Sequence, residues 1–291
     1  MPEDRNGTLY WNIQLGQTAP AWTALVAVFA GLALGSFAGM LVYRLPRGLA
    51  LDKPGSFCPG CRTPIGWRSN IPLVGFLLRG GRCAHCGGRI HWRYPLSELL
   101  CALLALAAWY AFGASPEAIA TLLFCAALVA LALIDVEHGL LPDRLTLGLL
   151  WAGLAYSLAP KSGGAAATVL LPFPGPGQAI AGAIAGYAFL WLFNRAWRIL
   201  RKRDGLGLGD CKLLAAMGAW LGLNGLPLVI VPAAVVGALS GLLMIALGRA
   251  SLSQPIPFGP FLAAGGVFAL FLGPDMALLP GLAGAPGLTG S

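Results

Sequence analysis

Two acidic residues carry the sharpest chemical signal in this sequence. Asp135 closes an apolar stretch in Ile134-Asp135-Val136-Glu137-His138, and Asp210 opens another in Gly207-Leu208-Gly209-Asp210-Cys211-Lys212. Ionisable residues at membrane depth are rare and usually functional. Two carboxylates held close in a dry setting cannot both ionise, so one keeps a proton while the other acts as base. Such a pair activates water against a peptide carbonyl with no covalent intermediate, and its apparent pKa values belong to the pair. The alternating Gly205, Gly207 and Gly209 let the backbone bend, or approach a substrate, where a side chain would clash.

Further candidates surround the pair. Asp143, after Pro142, suits a helix N-cap, with substrate binding or catalysis as the alternative. Lys212 either tunes the pair, anchors an anionic group or snorkels to the interface. Glu98 sits one turn inside an apolar segment, where it pairs with Arg93 or Arg44 or supports the active site. Glu137 and His138 read as loop surface. Cys211 adjoins Asp210 and so resembles a nucleophile, but no histidine is near it in sequence. Cys101 and Cys125 read as small buried hydrophobes. The glycine-rich run lacks the spacing of a phosphate-binding loop and follows no strand.

A second constellation is Cys58-Pro59-Gly60-Cys61 with Cys83-Ala84-His85-Cys86. Two CxxC pairs at this separation match a four-thiolate zinc site, which is structural because no coordination position is left for water. Gly60, Gly87 and Gly88 suit the tight turns of such knuckles. Disulfides are the alternative, disfavoured in a reducing compartment. A soluble piece of roughly 50 residues with few large apolar side chains needs such a staple to fold.

The elements that position these groups follow from composition. Of 291 residues 57% are hydrophobic and 10% charged, against about 25% charged in ordinary soluble domains. This describes an all-α polytopic membrane protein. Apolar stretches fall at 22–43, 96–114, 118–134, 145–159, 179–193, 213–226, 227–247 and 258–272. A span needs about 20 apolar residues, so the shorter ones place polar ends at membrane depth or thin the bilayer. The expectation is about eight transmembrane helices with a small cytoplasmic zinc-binding domain between the first two. The division is 1–21 leader, 22–43 first helix, 44–94 four-cysteine domain, 95–273 seven-helix catalytic domain and 274–291 tail.

The net charge of +8 does not indicate nucleic acid, because of how it is distributed. All Lys and Arg residues except Arg5 and Lys161 fall in segments on one side of such a topology. The positive-inside rule makes that side cytoplasmic, with both termini outside and both Asp135 and Asp210 facing in. No cleavable signal peptide is evident in Met1–Pro20, so the first span serves as its own signal. Gly31, Gly35, Ser36 and Gly39 form a small-residue face for close helix packing. Residues 160–177 read as linker. The proline-rich 253–262 reads as a bent re-entry against the active face.

Taken in order, these motifs resemble the bacterial type IV prepilin peptidases. The likeness covers nearly the whole chain: Gly35-Ser36-Phe37 with Val42-Tyr43-Arg44-Leu45-Pro46, the paired CxxC loop, and Arg93-Tyr94-Pro95 with Glu98. It continues through Asp135 with Pro142-Asp143, Gly207-Leu208-Gly209-Asp210-Cys211-Lys212-Leu213, and Pro257-Phe258-Gly259-Pro260. The resemblance implies an intramembrane aspartic protease of the inner membrane, with Asp135 and Asp210 as the catalytic pair and Asp210 in the family's GxGD motif. Its substrates would be prepilins and pseudopilins carrying a short basic leader, a glycine at the cleavage edge and a hydrophobic helix. The four cysteines place the chain with the bacterial branch that also methylates the new N-terminal amine, often of phenylalanine, from S-adenosylmethionine. Where that donor binds is not readable from the sequence; the zinc loop is the expected place. The basic loops are assigned to topology and anionic lipid.

Two rivals of other classes stand beside this reading. A proton-coupled transporter would also carry intramembrane acids, though here both acids lie at one face rather than the midplane. A non-catalytic zinc-bearing assembly factor of a secretion system would leave the acids dispensable.

Overall fold

In lipid, backbone polar groups must be satisfied within the segment that carries them, and this chain meets the demand with helices. The computed structural model describes residues 20–159, 173–201, 207–248 and 257–276. Lys202, Arg203, Asp204, Gly205 and Leu206 lie outside the described residues, as do the leader before Pro20, most of the 160–177 linker, residues 249–256 and the tail. The helices are α1 (Ala21–Arg44), α2 (Val74–Leu78), α3 (Arg93–Phe112), α4 (Pro116–His138), α5 (Asp143–Ser157), α6 (Pro176–Arg201), α7 (Leu208–Ala246) and α8 (Gly259–Met276). Among the described residues, α1, α3, α4, α6 and α7 are long and apolar enough to cross a bilayer.

Helix α4 is the buried centre. Phe124, Leu128, Leu131 and Ile134 are fully enclosed. Its bounds are written locally: the Ser115 hydroxyl accepts the Ala118 N–H at 3.2 Å, Pro116 opens the first turn, and Gly139 ends the helix at φ 62°. The stop falls four residues after Asp135, whose carbonyl takes the Gly139 N–H. The small-residue face of α1 packs on α3 as expected. A Cβ on Gly31 or Gly35 would strike the α3 backbone at Cys101 and Glu98, and one on Gly39 would strike Tyr94.

The expected sixth and seventh spans appear as two segments of α7. The break is not at Leu226/Pro227 but at Gly222, with φ 73° and ψ 177°, while Pro227 and Pro232 stay inside the helix. The first segment packs on α6 through Gly182, Gly186 and Gly218. It also packs on α5, where Trp220 Nε1 donates to the Leu149 carbonyl at 2.8 Å. The second segment runs antiparallel to α8, with Val229 against Gly265 and Gly237 against Phe258 and Phe261. Helix α6 extends beyond the expected 179–193, carrying Arg195 and Arg198 on its last turns.

The four-cysteine region between α1 and α3 has little regular structure. It hangs from Arg44, which is 3% exposed. The Arg44 guanidinium donates to the carbonyls of Ala50, Leu51, Pro54 and Gly55 at 2.6–3.1 Å and lies over the Phe57 ring.

Candidate active site

Asp135 lies in the last turn of α4 and Asp210 in the first turn of α7, and the start of α7 packs on the loop that follows α4. They are 6% and 8% exposed. Glycines shape the approach. Gly207 is the residue before α7, and a Cβ there would sit 3.5 Å from Asp210 Oδ2. A Cβ on Gly209 would come within 2.9 Å of Leu141 Cβ, so this glycine seats the α4–α5 loop against the start of α7. The third wall is α8: the Gly259 N–H donates to Asp135 Oδ2 at 2.9 Å. The expectation that the proline-rich segment returns to the active face holds at its described end. Gly259 itself was not singled out as a site residue, and only its place in Pro257-Phe258-Gly259-Pro260 marked it.

Several neighbours depart from expectation. Asp143 is not the N-cap of α5; Pro142 holds that position with no side-chain cap. The Asp143 carboxylate instead accepts from Lys212 Nζ at 2.6 Å, so Lys212 is paired rather than snorkelling. Glu137 is not loop surface. It is ion-paired with Arg93 and stands 3.7 Å from His91 Nδ1, while His138 Nδ1 is a buried atom. Glu98 pairs with neither Arg93 nor Arg44; its Oε2 accepts the Leu73 N–H at 2.8 Å. Cys211 is fully buried, and its thiol faces the Gly207 carbonyl at 3.9 Å, which is no base.

The four cysteines form the expected second centre. All are free thiols, and their sulfurs lie within 4.8 Å of one another, with Cys58–Cys86 at 3.9 Å and Cys61–Cys83 at 4.0 Å. A tetrahedral ion with zinc–sulfur bonds of about 2.3 Å separates its sulfurs by about 3.8 Å, so the donor set fits. The knuckles are copies: Cys58 N–H to Thr63 O and Arg62 N–H to Cys58 O match Cys83 N–H to Gly88 O and Gly87 N–H to Cys83 O. Gly87 supplies the left-handed residue of the second knuckle, but in the first that position is Arg62 at φ 57°, not Gly60. Backbone N–H groups of Cys86 and His85 favour the Cys83 thiolate and bring its pKa down to about 6.

Comparison with known proteins gives one family. Residues 29–112 match the bacterial peptidase A24 N-terminal domain and residues 122–242 the type IV leader peptidase family. A Burkholderia pseudomallei protein named prepilin leader peptidase/N-methyltransferase is 42% identical over 88% of this chain and 87% of its own. Proteins of the same name from Aeromonas hydrophila and Pseudomonas aeruginosa are 41% and 39% identical, over 86% and 87% of this chain and 90% and 92% of their own. No solved structure matches.

Proposed function

Because the chain belongs to the type IV leader peptidase family, we propose that Asp135 and Asp210 are the carboxylate pair with which it cuts. The chain removes the leader of prepilins and N-methylates the product. A carrier or a non-catalytic assembly factor is not favoured by relatives whose name joins both activities. The observation that carries the catalytic assignment is that both acids are buried at helix ends, with the start of α7 packed on the loop after α4 and Gly259 of α8 packed on Asp135. Sharing one proton, the ionised member takes a proton from water while the protonated member donates to the scissile carbonyl. The tetrahedral centre then collapses with return of a proton to the leaving amine.

Gly209 and Gly259 let the α4–α5 loop and Asp135 close against α7 and α8 with no side chain between them, and the Lys212–Asp143 bridge tethers the start of α7 to that of α5. The four thiolates are proposed to hold one structural zinc, which would cross-link the two knuckles. S-adenosylmethionine is proposed as methyl donor. In the membrane we place eight crossings, two of them from α7, with both termini outside and the acids at the cytoplasmic face, on the strength of the Lys and Arg asymmetry. The substrate range is proposed to include pseudopilins of type II secretion.

The test is processing of a prepilin in detergent by wild type, Asp135→Asn and Asp210→Asn. Each variant is expected to leave the precursor uncut while keeping the wild-type melting temperature. Cleavage surviving in both would remove the pair from the mechanism.

A further inference from the structure

Between the four-cysteine region and the ends of α1 and α3 lies a cavity of about 440 Å³, within the roughly 300–1,000 Å³ of small-ligand sites. Ser36, Met40 and Glu98 line it from the helices, and Phe57, Ile71 and Phe76 from the region above. Glu98 is its single acidic residue among five arginines, and three of those are committed: Arg44 to four carbonyls, Arg93 to Glu137 and Arg79 to Ser69. The other two, Arg82 and Arg89, face one another across an antiparallel bridge.

Glu98 is 6% exposed and has no Lys, Arg or His ion partner among the described residues. Its position is built rather than incidental. Gly35 brings α1 against the α3 backbone at this residue. The carboxylate also holds the N–H of Leu73, a non-glycine residue at φ 57° and ψ −46° in a tight turn closed by Val74 N–H on Pro72 O at 2.6 Å. Such strain gathers where a site must be clamped. A buried carboxylate without a cation is costly unless one arrives. The cavity is therefore prepared for a cationic guest at Glu98 and an anionic one at Arg82 and Arg89.

We propose that this cavity is the methyl-transfer site, taking an adenosyl-sulfonium amino acid together with the newly exposed N-terminal amine, and that Glu98 binds and deprotonates that amine. This rests on the methyltransferase reading of the chain. The donor's carboxylate is matched by Arg82 and Arg89, and its adenine by the apolar wall. Glu98 takes one proton from the substrate ammonium. The freed nitrogen lone pair forms the N–C bond as the methyl's C–S bond breaks with its electron pair going to sulfur. The products are a methylammonium terminus and a neutral thioether, and Glu98 releases its proton to water.

The two sites adjoin. Arg93 lines the cavity and is bonded to Glu137, two residues beyond Asp135.

The experiment uses the full chain in detergent and a synthetic pilin peptide that already begins with phenylalanine, so cleavage plays no part. Irradiation with radiolabelled S-adenosylmethionine is expected to cross-link residues within 36–98; cross-links confined to α5–α8 would overturn the site. Glu98→Gln is expected to keep the cross-link but lower kcat/KM for the peptide by about 100-fold or more, with Glu98→Asp recovering part of it. Wild-type methylation by Glu98→Gln would overturn its role. Ile71→Trp, which puts a larger side chain on the apolar wall, is expected to weaken the cross-link at least tenfold, and an unchanged cross-link would overturn the location. A wild type that leaves the peptide unmethylated while cutting a prepilin would instead remove the methyltransferase reading on which the proposal rests.

Discussion

The Gly259 N–H donates to Asp135 Oδ2 at 2.9 Å, and an added Cβ at Gly259 would stand 2.6 Å from that same oxygen. The first turn of α8 thus orients the carboxylate and leaves no room for a side chain beside it. Gly259→Ala must displace the Asp135 carboxylate, and displacement on the order of 1 Å costs about 100-fold in rate. Prepilin processing is expected to fall by about that factor with little change in melting temperature. A full-rate Gly259→Ala enzyme would show that Asp135 does not depend on this contact.

The Lys212–Asp143 bridge is short but open, with side chains 27% and 59% exposed. Exposed pairs contribute about 0–1 kcal/mol. Lys212→Met and Asp143→Asn are each expected to shift unfolding by less than about 1 kcal/mol. Measured alongside stability, a 100-fold loss of cleavage in Lys212→Met alone would make the ammonium a catalytic group rather than a tether.

Gly222 divides α7 at φ 73° and ψ 177°, with Pro174 Cβ 3.1 Å from where a Cβ would stand. That conformation is close to glycine-only, so Gly222→Ala is expected to cost about 1–3 kcal/mol. Thermal unfolding in detergent reads this directly. Unchanged unfolding would mean that the two segments of α7 are held by their packing on α6 and α8, whatever the residue between them.

The four-cysteine region has two short bridges, a five-residue helix and the Arg44 cluster to hold it. Elemental analysis is expected to give one zinc per chain. Chelation, or Cys58→Ser with Cys86→Ser, is expected to expose residues 45–92 to limited proteolysis while α4–α8 stay protected. A metal-free protein with the same protease resistance would show that the Arg44 carbonyl cluster suffices. Arg44→Lys tests that cluster separately: an ammonium has three donors and no planar fork, so the region is expected to loosen even with zinc in place.

Some of this architecture was legible in the chain itself, because it rests on local chemistry. An excess of apolar residues forces helices in lipid wherever it occurs. A CxxC pair makes its knuckle from neighbouring residues, whereas α4 runs from Pro116 to His138, beyond the expected 118–134 at both ends. The two acids stood out for the same reason, since a carboxylate ending an apolar run is anomalous in any fold. Partnership was another matter. Local pattern could not tell that Asp135 would meet Gly259, that Glu98 would clamp Leu73 instead of an arginine, or that Asp143 would face Lys212 instead of its own helix. Nor could it place the break of α7 at Gly222, when the expected boundary lay at Leu226/Pro227. Residue type and spacing determine which groups demand a partner; which partner answers is decided by helix packing between distant segments, and here by glycines that let those helices touch.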